Sequence, residues 1–451
     1  MFDIIGKIRG DKTIWAIVFL LALISFLPVY SASTNLVYVI GNGTTIGHLI
    51  KHAIHVLLGF VIIYWIHKMP YHYFKALSIF GIPLVALLLV YTLFKGTEIG
   101  GANASRWIQI PFVGVSFQTS TLAFIVIMVY VARYLAKVSD KVYSFKESFL
   151  ELWVPVGAVL VLILPANFST TALIFAMICM LIFIGQYPLK YLGYVLAMGV
   201  SAMLLFILLA KAFPDNKFFS RVNTWENRIE RFTKDTPNED DYQIEKAKIA
   251  IASGGVIGLG AGKSVQKNFL PQSSSDFIFA IIVEEWGLVG AVTIIGLYLL
   301  LLLRFVINAQ KASSLFGKLL IIGLGFPIIF QAFVNMGVAV ELLPVTGQPL
   351  PLISSGGTSI WMTCIAVGII LSVTKKEEEV ALDLEEKRKR DEALQQIIDA
   401  QVALNEEKEA DENQQKINDI KSSIRESLIE DENGDVLVNG QNPMNAVLNK
   451  K

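Results

Sequence analysis

Charge is scarce in this chain. Asp, Glu, Lys and Arg make up 17% of its residues while 54% are hydrophobic, against roughly 25% charged in ordinary soluble domains. With a mean hydropathy of +0.57, a single soluble globule is excluded. Cysteine is nearly absent. Cys179 and Cys364 both fall in apolar runs, which excludes a disulfide framework and leaves them as small core hydrophobes. The five histidines, His48, His52, His55, His67 and His72, have no cysteine partner and no HExxH spacing, so they predict no metal centre. Net charge is also lacking: 38 Lys and Arg balance 38 Asp and Glu. That balance hides a split. From Lys375 onward there are 12 basic and 20 acidic residues, a balance of −8 that leaves +8 on the rest. A basic membrane part suits anionic lipid or an anionic substrate. Nothing in the pattern marks a nucleic-acid surface.

Present instead are long apolar runs. Spanning a ~30 Å hydrocarbon core takes about 20 apolar residues per helix. Such runs read as Thr13–Ala32, Ile46–Ile66, Phe74–Phe94, Thr119–Ala136, Leu150–Leu164, Thr170–Ile184, Tyr191–Ala210, Phe277–Leu303, Leu319–Val340 and Ile360–Val373. The pair around Pro165 also fits one broken re-entrant element. The chain is thus expected to be an all-α polytopic membrane protein with about ten transmembrane helices. Ser31-Ala32-Ser33 imitates a signal cleavage site, but the run before it is long for a signal core and is expected to stay. Lys and Arg recur in alternate connections: Lys68 and Lys75; Arg133, Lys137, Lys141 and Lys146; Lys190; Arg304, Lys311 and Lys318. The loop Ser33–Thr45 has none. By the positive-inside rule both termini are cytoplasmic.

Two regions follow. Residues 1–376 form the membrane domain, with a large extracytoplasmic loop, 211–276, between helices 7 and 8. Residues 377–451 form a charged cytoplasmic tail. Its middle, Leu394 to Leu404, has helical composition, and its end, ENGDVLVNGQNPMNAVLNKK, reads as disordered. The loop ends in GGVIGLGAGKS. This imitates a phosphate loop, but Ile257 stands where the first glycine is required. The glycines instead suit close backbone packing near a ligand or a membrane surface.

Beyond that string the chain reads QKNFLPQSSSDFIFAIIVEEWG. Asp276 stands at the mouth of an apolar helix, with Glu284 and Glu285 inside it. An ionisable group there is either a functional site or an N-cap, since Asp caps helices well. Glu284 and Glu285 read as a buried polar network that holds neighbouring helices. The last outer loop, ELLPVTGQPLPLISSGG, has too many prolines and glycines for a helix. Irregular backbone at membrane depth needs protein or a watered cavity against it, so this loop reads as the wall of an outward-facing site.

Three strings, SVQKNFLPQSSSDFIFAIIVEEWGLVG, LPVTGQPLPLISSGGTS and GANASRWI, resemble the SEDS family (shape, elongation, division and sporulation), the FtsW/RodA proteins. The resemblance runs from about Trp15 to Val373, and ASRWI leans toward the division-type branch. It implies a peptidoglycan glycosyltransferase that polymerises lipid II outside the cytoplasmic membrane. It also implies a class B penicillin-binding transpeptidase and other division proteins as partners. The family's essential loop carboxylate corresponds to Asp276, its second-span Lys to Lys51, and its Arg-Trp pair to Arg106 and Trp107.

A base is needed for the attacking hydroxyl, and Asp276 suits it. Cations are needed for the departing pyrophosphate, and Lys51, Arg106, Arg221, Lys263 and Lys267 are candidates. For Arg221 and Lys267, surface solvation is the competing reading. Ser354, Ser355, Gly356 and Gly357 complete the expected substrate wall. Departures exist. Thr119, Thr121 and Phe124 replace a family Pro, Glu and Lys, and Asn167 replaces an acid. These neutral positions weaken any divalent cation site. A flippase or a non-enzymatic scaffold remains the alternative.

Overall fold

A computed structural model of the chain describes residues 9–38, 43–96, 107–109, 116–139, 141, 143–212, 239–270, 272–430 and 436–438. The fold is helical, as the composition requires. Helices α1 (Lys12–Tyr38), α2 (Thr45–Ile66) and α3 (Tyr73–Lys95) come first. A small hairpin of β1 (Trp107–Gln109) and β2 (Ser116–Gln118), pairing Trp107 with Gln118, leads into α4 (Thr119–Val138). Next comes a composite rod of α5 (Phe145–Ser148), a π-turn over Phe149–Trp153 and α6 (Val154–Ile163). Helices α7 (Phe168–Ile184) and α8 (Leu189–Ala212) precede α9 (Glu239–Gly254), a helix within the expected outer loop. Helices α10 (Ile278–Lys311), α11 (Leu315–Ala339) and α12 (Thr358–Ser427) complete the bundle.

Among the described residues, eight helices are long and apolar enough to cross a membrane, and Phe168–Ile184 is a shorter apolar one. The composite rod is shorter still in each piece. Its partition from α7 falls at Pro165, and Asn167 then restarts the helix by accepting from Thr170 N at 3.2 Å. The tail departs from the expected break after Val373: α12 continues unbroken to Ser427. The chain divides into two compact units, residues 1–378 and 379–451. In the second, Leu428–Glu430 pairs with Val436–Val438, three residues of which fall in the stretch expected to be disordered. The rest of that stretch lies outside the described residues.

Position in the bundle follows from side-chain chemistry. Helix α11 is central, with 72% of its span buried by protein, whereas the span of α8 is 11% buried and shows Leu204, Leu205 and Leu208 outward. Hydrocarbon tails are as apolar as leucine, so helices associate in a membrane through close packing of small residues. Gly59 accordingly lets the thiol of Cys364 approach: a Cβ there would stand 2.7 Å from its Sγ. At one end of the bundle Asp11 caps α1, accepting from Thr13 N at 2.8 Å and from Arg304 Nε on α10 at 2.9 Å. Burial raises the Asp11 carboxyl, but hydrogen bonds from Asn308 and Arg304 outweigh it and hold the group below its ordinary value.

The candidate site around Asp276

At the opposite end of the bundle, a polar turn over residues 272–277 precedes α10. Asp276 is not the helix cap. Phe277 occupies that position, and no side chain bonds the first free N–H groups there. The N-cap position thus falls to Phe277, one residue after the carboxylate. It is partly buried and faces the last loop: Gly347 Cα presents its hydrogen to it, since a Cβ on Gly347 would stand 3.5 Å from Asp276 Oδ2.

The turn and the last loop are tied together by backbone groups. Ser355 N donates to Ser274 O at 2.9 Å. The buried hydroxyl of Ser354 donates to Ser275 O at 2.6 Å and accepts from Leu350 N at 2.7 Å. From α11, Asn335 Nδ2 donates to Asp276 O at 2.7 Å and to Gln348 O at 2.8 Å, while Gln331 holds Pro349 O at 2.9 Å. Gln348 in turn reaches Thr170 Oγ1 at the start of α7 at 3.1 Å. The ties to the turn itself fix its main-chain atoms Ser274 O, Ser275 O and Asp276 O, and these bonds position the residue that carries the carboxylate. Leu352 within this loop has φ +65°, a conformation that costs a bulky residue roughly 1–2 kcal/mol. The surrounding bonds hold it there.

The other expected site residues divide. Ser354, Ser355, Gly356 and Gly357 are brought to Asp276 as the same turn. Gly357, at φ +52°, also meets α2: a Cβ on it would stand 3.6 Å from His55 Nε2. The His55 ring is set by a 2.6 Å bond between Nδ1 and Lys51 O and by stacking on Trp361 at 5.3 Å. Lys51 is exposed one helical turn from His55, so it shares that face of α2. Trp107 lies half-buried in the hairpin beside Gln118. Lys263 is exposed on the glycine loop. Lys267 is engaged elsewhere, donating to Ser31 Oγ at 3.1 Å and Gly262 O at 2.7 Å. Arg106 and Arg221 lie outside the described residues.

The neutral departures have structural roles. Asn167 caps α7, and Thr119 meets Thr92 on α3 at 3.1 Å. Thr121 and Phe124 line a cleft of about 460 Å³ between α4, α11 and α12, with Gln331, Ser359 and Thr363 on its other walls. Among the described residues no three His, Cys, Asp or Glu side chains gather as a metal site.

Sequence reasoning missed Gln331, Asn335, His55 and Gly347. A signal existed for two of them. FQAFVNMG places two amides one turn apart in an apolar span, and polar groups in such helices mark buried hydrogen bonding.

The family profile for cell cycle proteins of the FtsW/RodA/SpoVE type matches residues 11–379. A probable peptidoglycan glycosyltransferase FtsW of Geobacter sulfurreducens is 34% identical over 333 residues, 72% of this chain and 85% of that one. That of Coxiella burnetii is 29% identical over 81% of this chain and 96% of its own. Among solved structures, a chain from a peptidoglycan synthase complex that coordinates polymerization and crosslinking aligns with a TM-score of 0.62 at 24% identity, over 82% of this chain and 98% of that one. The Thermus thermophilus rod shape determining protein RodA aligns at 0.58 and 22%, over 82% of this chain and 97% of its own. These two show a shared fold, and with the profile and the relatives they establish that the chain belongs to the FtsW/RodA/SpoVE, or SEDS, family of membrane proteins.

Proposed function

We propose that this protein is a peptidoglycan glycosyltransferase that polymerises lipid II into glycan strands on the outer face of the cytoplasmic membrane during cell division. In this reading the Asp276 end of the bundle is extracytoplasmic and the Asp11 end and tail are cytoplasmic. The observation that carries the reading is the Asp276 carboxylate, held toward the last loop by a backbone frame, in a chain whose relatives bear that enzyme's name.

The reaction joins the 4-hydroxyl of one lipid-linked saccharide to the anomeric carbon of another. The hydroxyl oxygen bonds to that carbon, its proton passes to Asp276, and the bond to the polyprenyl pyrophosphate breaks with its electron pair on the leaving oxygen. Removal of the proton in the transition state contributes typically 10²–10⁴-fold. Lys51 and Arg106 are assigned to the pyrophosphate, where a charge-assisted contact contributes about 1.5–3 kcal/mol. Ser355 and Gly356 form part of the wall beside the saccharide. Thr121 and Asn167 are neutral, and among the described residues no three His, Cys, Asp or Glu side chains gather to hold a divalent ion. A class B penicillin-binding transpeptidase is the proposed partner, at the septum with other division proteins.

The test is Asp276→Asn in purified protein given labelled lipid II, with and without the transpeptidase. As Phe277 is the cap, the amide leaves the helix start intact. Polymerisation is expected to fall at least ~10²-fold with an unchanged melting temperature. Wild-type glycan ladders from the folded variant would end the assignment. Lipid II changing sides in vesicles without ladders would favour a flippase, and neither activity a scaffold.

A further inference from the structure

The glycine segment after α9 has no part in the chemistry above, yet it is built in an unusual way. It lies backbone to backbone on α10. Leu259 N donates to Glu284 O at 3.0 Å and Gly260 N to Glu285 O at 2.9 Å. In return Leu288 N donates to Gly255 O at 2.9 Å and Val289 N to Val256 O at 3.3 Å. The contact is too tight for side chains: a Cβ on Gly258 would stand 2.2 Å from Glu285 O. Gly287 breaks the helix at φ +62° to receive the loop. The loop's main-chain polar groups are thus used against α10, while its side chains point the other way. Val256 is 65% exposed and Ile257 82%.

The level of this contact is set by α10 itself. Residues 278–285 are all buried in protein. Leu288, Val289 and Val292 are 56–60% exposed and open the stripe that this span shows to lipid. The far polar boundary is marked by Arg304, paired with Asp11. A span of about 20 residues crosses the hydrocarbon core, and counted back from Arg304 it ends at about Glu284. Gly255 and Val256, bonded at residues 288 and 289, and Ile257 next to them therefore stand at or inside the edge of the hydrocarbon.

We propose that the tip Val256–Ile257 is embedded in the acyl chains of the leaflet on the Asp276 side. Irregular backbone does not survive facing lipid unless its N–H and C=O groups are satisfied within the protein. Here Gly255 O, Val256 O and the N–H groups of Gly258, Leu259 and Gly260 are bonded within the protein, and the residues directed outward at the tip are apolar. The tip continues the exposed apolar surface of α10 at hydrocarbon depth, and acyl chain is the occupant that this depth supplies. Lys263, exposed later in the same loop, then lies near the lipid phosphates, where a long basic side chain reaches the interface. The proposal stands whether or not the chain polymerises glycan.

The test uses the full chain with Cys179 and Cys364 replaced by alanine, reconstituted in phosphatidylcholine–phosphatidylglycerol nanodiscs. A nitroxide is attached to Ile257→Cys, and to Val256→Cys as a second site should the first fold poorly. Its relaxation is measured with oxygen, which concentrates in acyl chains, and with a water-soluble nickel chelate. Val292→Cys is the lipid reference and Lys248→Cys the aqueous one. The oxygen-to-nickel ratio at the tip is expected to match position 292. A ratio like that of position 248 would overturn the proposal, as would a label shielded from both reagents, which means cover by protein.

Discussion

Asp276 and the pair Glu284–Glu285 are close in sequence, and the protein treats them in opposite ways. Both glutamates are fully buried, at 1% exposure each. Glu284 accepts from Val265 N at 2.9 Å, Gln266 N at 3.2 Å and the Ser264 hydroxyl. Glu285 accepts from Ser264 N at 3.3 Å and from the Ser31 hydroxyl of α1. Their carboxyl oxygens bind α1 and the loop after α9 to α10. At Asp276 the frame bonds only the main chain, and the carboxylate, partly exposed, is directed across a glycine into the last loop. A buried carboxylate surrounded by fixed donors is a strut, because any change leaves those donors unsatisfied. A carboxylate held by its backbone can change partners during a reaction without cost to the frame. In this way acids of similar intrinsic chemistry are given opposite surroundings.

The contrast breaks first at the glycines. Gly258→Ala forces a methyl group within 2.2 Å of a carbonyl, and backbone cannot yield there. The variant is expected to give little or no folded protein in membranes, measured by size-exclusion profile and melting of the detergent extract. Glu284→Ala comes next. It strands the Val265 and Gln266 N–H groups, at about 1–3 kcal/mol for each group left unsatisfied, and should lower the melting temperature sharply. Activity per folded molecule should change far less than in Asp276→Asn, so an inactive but fully stable Glu284→Ala would reverse the two roles. Gly347→Ala sharpens the site side. Its Cβ meets Asp276 at an ordinary 3.5 Å but must hold φ +66°, at a cost of roughly 1–2 kcal/mol. Folding should survive while lipid II polymerisation falls about tenfold or more. The smallest effect belongs to the tail. Glu377 accepts from Ser313 at 2.8 Å and Glu378 from Gly10 N at 2.7 Å, so truncation after Glu378 keeps both of these ties. Insertion, melting and polymerisation should then stay within about 0.5 kcal/mol of the full chain.

Much of this was legible along the chain. Long apolar runs dictate membrane helices, because a bilayer leaves the backbone no other partner than itself. The break at Pro165, the Asp276 turn, the irregular last loop and the buried role of Glu284 and Glu285 all follow from local chemistry. So does the tight packing of the glycine loop, whose repeated glycines admit close approach. The length of α12 did not follow, since a solvated run of Glu, Lys and Gln suits either helix or coil. That Phe277 and not Asp276 stands at the N-cap of α10 is set by the turn over residues 272–277. Lys267 looked like any surface lysine until Ser31, far away in the chain, was laid against it. The pairing of Asn335 with Asp276 O and of Gly357 with His55 joins residues from separate helices. Composition and periodicity decide what each segment is; which atoms meet is decided only when the helices pack, because those contacts are long-range and specific to a few ångströms.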